Sequence, residues 1–197
     1  MTDGPPEDDR ERWNRKHSSV QVGGWTPRPW LTEHRALLDE QPARRALDVA
    51  CGRGREALYL AEIGFEVDAL DVSDVVVDAL ADTARARGLP VRAQQVDLAA
   101  APDPLEHGAY DVVTCFYFLQ RALLPALAAA LAPGGLLFYE TFTRDHVDVL
   151  GREMNREVLL GHNELLHAFT GLRVLRYREE VIGDERRRAV ASVVARA

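Results

Sequence analysis

Cysteine is scarce in this chain. Only Cys51 and Cys115 occur among its 197 residues. Both sit in apolar strand-like runs, not in a spaced framework, which excludes a disulfide scaffold and fits a reducing compartment such as the cytoplasm. Long apolar runs are missing too, since none approaches the roughly 18 residues that span a bilayer. Positive charge is in deficit: 24 Lys and Arg stand against 31 Asp and Glu, for a net charge of −7. That leaves no global basic footprint for nucleic acid. Residues 1–10 are polar and acidic with Pro5-Pro6, lack the apolar stretch of a secretory signal, and are expected to be disordered. The six histidines are scattered; His162 and His167 do not share a helix face, so no metal site is expected. No Ser/His/Asp arrangement, internal repeat or low-complexity tract follows the N-terminus.

What is present is a regular alternation. Short apolar runs at 47–50, 65–70, 91–96, 110–118, 136–142, 172–182 and 189–195 read as strands. Between the first five lie helical patterns. One starts at Gly54 and stops at Gly64. A second has Ser73 as its expected N-cap and ends at Gly88, and a third runs over 121–131 to Pro133-Gly134-Gly135. Residues 10–16, 30–40 and 163–169 read as further short helices, and 144–162 as charged and irregular. Strands separated by helices imply a parallel sheet, because each parallel pair needs a crossover. The last two runs lack a helix between them and are expected to pair as an antiparallel hairpin. The expected division is a tail at 1–12, a helical segment at 13–43 that either folds as a lid or packs as an amphipathic segment on the sheet, and a main domain at 44–197.

The first strand runs into Gly52 and Gly54, two residues without Cβ at a strand-to-helix turn, where backbone approaches a ligand closely and helix N–H groups are free. With Ala57 the run satisfies G-x-G-x-x-G/A, a dinucleotide fingerprint that is weak alone. Asp71, 19 residues after Gly52 at the end of the second strand, can accept both hydroxyls of a ribose. Asp48 discriminates between ligands. A carboxylate beside the turn repels a pyrophosphate but favours a ligand carrying an ammonium and a sulfonium. The structural alternative is an aspartate that only stabilises the turn.

Leu47-Asp48-Val49-Ala50-Cys51-Gly52-Arg53-Gly54-Arg55 resembles the first motif of class I S-adenosylmethionine (SAM)-dependent methyltransferases. Asp71 resembles their ribose acid, and Asp97-Leu98 the pair beside the adenine. Tyr110-Asp111-Val112-Val113 resembles their fourth-strand motif, and Ala132-Pro133-Gly134-Gly135 the turn before strand five. Gly52-Arg53-Gly54-Arg55, Tyr139-Glu140-Thr141-Phe142 and Trp13-Asn14 are most similar to the tellurite-resistance and thiopurine-type small-molecule branch. The resemblance implies an α/β, Rossmann-like sheet of seven mostly parallel strands with an antiparallel last strand and helices on both faces. It implies SAM as cofactor, held by Asp48, Ala50, Cys51, Gly52, Gly54, Arg55, Asp71, Val72, Asp97, Leu98 and Phe116. Ala50 departs from the pattern, many members having glycine there.

Such a donor is already activated, so the protein must mainly supply geometry and exclude water. No obligatory catalytic residue is evident. Trp13, Tyr117, Arg121 and Glu140 are candidates for binding the acceptor. Each has a plain alternative: packing for Trp13 and Tyr117, and a solvated or strand-end charge for Arg121 and Glu140. Trp25 and Trp30 share the lid segment with Trp13, and residues 144–162 are expected to complete the acceptor pocket. The partner expected is a small molecule rather than nucleic acid or a membrane, with the protein a monomer or homodimer. The rival readings are an NAD-dependent oxidoreductase and a non-catalytic SAM-binding protein.

Overall fold

In the computed structural model, which describes residues 8–18, 26–41, 44–100 and 105–197, seven strands form one sheet. They are β1 (Arg45–Val49), β2 (Glu66–Asp71), β3 (Val91–Gln95), β4 (Tyr110–Phe116), β5 (Leu131–Phe142), β6 (Arg173–Ile182) and β7 (Arg188–Arg196), in the order β3-β2-β1-β4-β5-β7-β6. The first five are parallel; β7 is antiparallel to both β5 and β6. The expected hairpin is present, with its second strand inserted against β5.

Both faces of the sheet are apolar because both are covered. On one face Leu47, Val113, Leu137 and Val193 pack with Leu124 and Leu127 of helix α6 (Leu124–Ala129) and with Leu165 and Phe169. On the other, Ala46, Val112, Leu136 and Val194 pack with Leu58, Leu80 and Trp30, carried by α4 (Arg55–Glu62), α5 (Asp74–Arg87) and the short α2 (Pro29–Thr32). Alternation along β1 therefore sends Leu47 and Val49 to one core and Ala46 to the other.

Several expected boundaries shift. A helix, α1 (Asp9–Ser18), starts inside the stretch expected as tail; residues 1–7 lie outside the described residues. The single helix expected over 30–40 is broken into α2 and α3 (Arg35–Asp39). The helix expected over 121–131 opens as a 3-10 turn at Arg121–Leu123 and ends at Ala129, where Leu131 already pairs with Tyr110. The irregular 144–162 stretch holds α7 (Asp145–Asp148) and a 3-10 turn at Arg156–Val158, and α8 spans Glu164–Ala168. Ser73 occupies the N-cap position of α5, but its hydroxyl donates to Asn14 Oδ1 (2.6 Å) instead of capping. Asn14 Nδ2 in turn donates to Asp74 Oδ1 (2.5 Å). Helix α1, which has no buried residue, is thus tethered to α5 by polar bonds.

Candidate active site

The strand order reverses between β1 and β4, and in an open α/β sheet the crevice outside the carboxyl ends of the strands at that point is where ligands bind. A cavity of about 330 Å³ lies there, within the usual range for small-molecule sites. Its wall includes Ala50 after β1, Asp71 and Val72 after β2, and Asp97 and Leu98 after β3; Phe116 and Tyr117 close it at the end of β4. Helix α1 adds Asp9, Trp13, Lys16 and His17. Arg28 enters from the approach to α2, and Phe118 and Phe142 complete the aromatic side.

Two non-glycine residues at this edge hold left-handed backbone: Ala50 (φ 53°) and Tyr117 (φ 57°). Each directly follows its strand, where the chain turns sharply to expose backbone to the crevice. Such strain persists where the surroundings over-determine it, and it clusters at functional sites. The Tyr117 N–H donates to Glu140 O (2.7 Å), which fixes the turn against β5.

Asp71 is buried, and both oxygens accept backbone donors: Oδ2 from Gly52 (2.8 Å) and Oδ1 from Ser73 (2.9 Å). It therefore faces the cavity while holding the glycine turn in place. Asp97 Oδ1 accepts from Ala99 (2.9 Å) and Ala100 (3.1 Å). Asp48 does not line the cavity. Its Oδ2 accepts the Ala57 N–H (3.1 Å), an otherwise unpaired donor in the first turn of α4, and its Oδ1 accepts the Thr114 hydroxyl (2.7 Å). Burial, aided by the nearby Glu56 carboxylate, pushes Asp48 up to about 8. Glu56 is raised as well, again mainly by burial.

The remaining expected residues divide. Cys51, Gly52, Gly54 and Arg55 are not among the residues that line the cavity. A Cβ on Gly54 would collide with Leu80, so this glycine serves helix packing, whereas Gly52 (φ 52°) faces open space. Burial raises the Cys51 thiol well above its usual range, so it is unreactive. Of the acceptor candidates, Trp13 and Tyr117 line the cavity. Glu140 is buried behind it, accepting from Tyr117 Oη (2.8 Å), Ser192 Oγ (2.7 Å) and Arg178 Nη2 (2.9 Å). Arg121 points away: it pairs with Glu164 (2.6 Å) and donates to Glu157 O and Leu159 O. It fastens the segment between β5 and α8, and residues 144–162 contribute nothing to the wall. Trp30 is buried, its indole N–H donating to Val193 O (3.3 Å); Trp25 lies outside the described residues.

Sequence reasoning missed Arg28. Its guanidinium lies 4.0 Å from the Tyr117 ring centroid and 6.0 Å from that of Phe116, its backbone N–H donates to Glu56 (3.1 Å), and burial lowers its pKa while Glu56 opposes. The neighbouring Pro29 and Trp30, which start a buried helix, were the only local sign. His17 was also missed as a wall residue. It stacks on Trp13 (5.6 Å), and burial lowers its pKa while Asp71 raises it.

Residues 46–135 match the methyltransferase domain family. That match covers just under half of the chain. A ubiquinone biosynthesis O-methyltransferase of Xanthomonas campestris pv. campestris is 36% identical over 110 residues, covering 52% of this chain and 45% of that protein. The chain spans about half the length of such curated relatives. The chain also shares its fold with TehB from Haemophilus influenzae: TM-score 0.71 at 18% identity, covering 95% of this chain and 66% of that one. A SAM-dependent methyltransferase from Aquifex aeolicus gives 0.61 at 20% identity, with 96% and 99% covered. Among the described residues, no helix of the domain is long and apolar enough to cross a membrane.

Proposed function

We propose that this protein transfers a methyl group from SAM to a small-molecule acceptor in the cytoplasm. One observation carries the reading: Asp71 and Asp97 stand at neighbouring strand ends along one apolar crevice, and the glycine turn beside them is underlain by the buried carboxylates Asp48 and Glu56. A pyrophosphate resting on Gly52 would lie beside the Asp71 carboxylate that accepts its N–H, whereas the cationic methionine end of SAM would be attracted. This argues against the NAD-dependent alternative.

The residues present fit the cofactor. Asp71 keeps lone pairs beyond its two backbone bonds and would accept the ribose hydroxyls. Asp97 uses only Oδ1 in its own turn, leaving Oδ2 for the adenine amine, with Val72, Leu98 and Phe116 against the base. Arg28 would receive the methionine carboxylate, since its buried Nε has no hydrogen-bond partner among the described residues. When bound, SAM supplies a methyl group on a sulfonium, open to in-line displacement. Trp13 and His17 on α1 cover the crevice and exclude water, and the fixed turn at Tyr117 shapes the face on which an acceptor approaches. Burial of both free cysteines accords with a reducing cytoplasm.

Isothermal calorimetry with S-adenosylhomocysteine (SAH) and with NAD⁺ tests the cofactor. Micromolar binding of SAH and none of NAD⁺ is expected; the reverse pattern overturns the reading. Transfer of radiolabelled methyl to a panel of thiols, phenols, amines and selenium or tellurium oxyanions separates an enzyme from a SAM-binding protein without turnover.

A further inference from the structure

Buried side-chain nitrogens without a hydrogen-bond partner are few among the described residues: Nε of Arg28, Arg188 and Arg196. Two of the three converge on one ring. Arg28 Cζ lies 4.0 Å from the Tyr117 centroid, and Arg188 Cζ lies 5.6 Å from it. Stacking on an aromatic face compensates a guanidinium only partly, because its N–H groups remain unbonded. Glu56 lies 3.9 Å from Arg28 Nε, an ion pair beyond hydrogen-bond length, and Glu140 is already bonded to Tyr117, Ser192 and Arg178. No ion pair to Arg188 occurs among the described residues.

Arg188 is the first residue of β7, which runs antiparallel to β5, so it stands beside the carboxyl end of β5. Phe142 lines the cavity at that end, 4.7 Å centroid to centroid from Tyr117. Two aromatic rings of the cavity wall and two guanidiniums thus meet around Tyr117, Arg28 within the wall and Arg188 beside it but not part of the lining. Its chain neighbours Arg186 and Arg187 are exposed and form a solvated charge cluster. The fold separates Arg188 from that role by burying its Nε.

A methionine carboxylate at Arg28 neutralises one cation and leaves the other. We propose that the acceptor is a planar ring bearing a carboxylate, the ring set against Tyr117 and Phe142 and the carboxylate received by Arg188. This rests on the methyltransferase reading above. The carboxylate is a handle and not the methylated atom, because a bidentate guanidinium ties up its lone pairs. The methyl goes to a heteroatom elsewhere on the ring. There the S–CH₃ bond breaks with its electron pair going to sulfur, the heteroatom–CH₃ bond forms, and the displaced proton passes to water.

The test compares benzoate with its neutral isostere benzamide on SAH-loaded protein, by calorimetry. Benzoate is expected to bind at least roughly tenfold tighter, as charge-assisted bonds to a desolvated guanidinium require. Arg188→Gln is expected to erase that ratio and Arg188→Lys to keep part of it, with thermal unfolding showing that both variants fold. Equal binding of the two probes to the wild type, or an unchanged ratio in Arg188→Gln, overturns the proposal. Failure of SAH to bind in the first place overturns the methyltransferase reading instead, and this inference with it.

Discussion

Asp71 holds Gly52 in place: the carboxylate that ends β2 accepts the N–H of the glycine that begins the turn after β1, at 2.8 Å. The turn is therefore built around the group proposed to bind the ribose. Asp71→Ala removes both the ribose acceptor and the brace. With two bonds to a charged acceptor lost at about 1.5–3 kcal/mol each, SAH affinity is expected to fall roughly 100-fold or more. Asp71→Asn keeps one carbonyl oxygen for Gly52 and should fold normally while still losing at least about tenfold. Calorimetry and thermal melting read the two effects separately, and unchanged SAH affinity in Asp71→Ala removes Asp71 from the ribose role.

Backbone strain at the glycine turn predicts an order of stabilities. Left-handed φ costs a residue with a Cβ about 1–2 kcal/mol, so Ala50→Gly at φ 53° is expected to raise Tm by about 2–4 °C. Gly52→Ala meets open space but takes on the same strain, and should lower Tm by a similar amount. Gly54→Ala adds a collision with Leu80 and should be the least stable of the three. Differential scanning calorimetry orders them; Gly54→Ala melting above Gly52→Ala contradicts the packing role.

Asp48 predicts a pH signature. Its folded pKa is pushed up to about 8, chiefly by burial, from an unfolded value of 3.8. Between those values the folded state holds the proton and the unfolded state releases it. The stabilisation tied to this group is thus complete below the unfolded value and is lost as pH rises towards 8. Asp48→Asn cannot titrate. The Tm of the wild type minus that of Asp48→Asn should therefore decline from pH 5 to pH 8, by about 3 °C or more if ~1 kcal/mol is involved. A flat difference shows that Asp48 is ionised throughout.

Helix α1 covers the cavity yet buries no residue, and its attachment to α5 runs through Asn14. Asn14→Ala removes both bonds, to Ser73 and Asp74. Faster proteolysis within 9–18 and a weaker SAH affinity, by about five- to tenfold for two lost hydrogen bonds, are expected with little change in Tm. Limited proteolysis with mass spectrometry reads the first effect. Unaltered cleavage would mean that other contacts hold the helix.

Much of the architecture was readable because its signals are local. Apolar runs of strand length, glycines at helix ends and acids at strand ends placed β1 to β5, Asp71 and Asp97 correctly, and those acids line the crevice. Boundaries drifted where tertiary contacts override local pattern. Leu131, helical by composition, pairs with Tyr110 across β4 and β5, and Ser73, a cap by type, bonds a distant asparagine.

Side-chain roles were less legible. Asp48 and Arg121 carry the right chemistry in the right neighbourhood, yet one turns inward to Ala57 and Thr114 and the other is drawn to Glu164. Arg28 and Arg188 drew no notice as ligand-binding residues, and they meet at Tyr117. The sequence by itself determined the succession of strands and helices and the crevice at their carboxyl ends, because periodicity and turn chemistry act between near neighbours. Only the tertiary structure decided which charges face that crevice. A long polar side chain takes its partner from whatever distant element packs beside it, and burial then makes that choice binding.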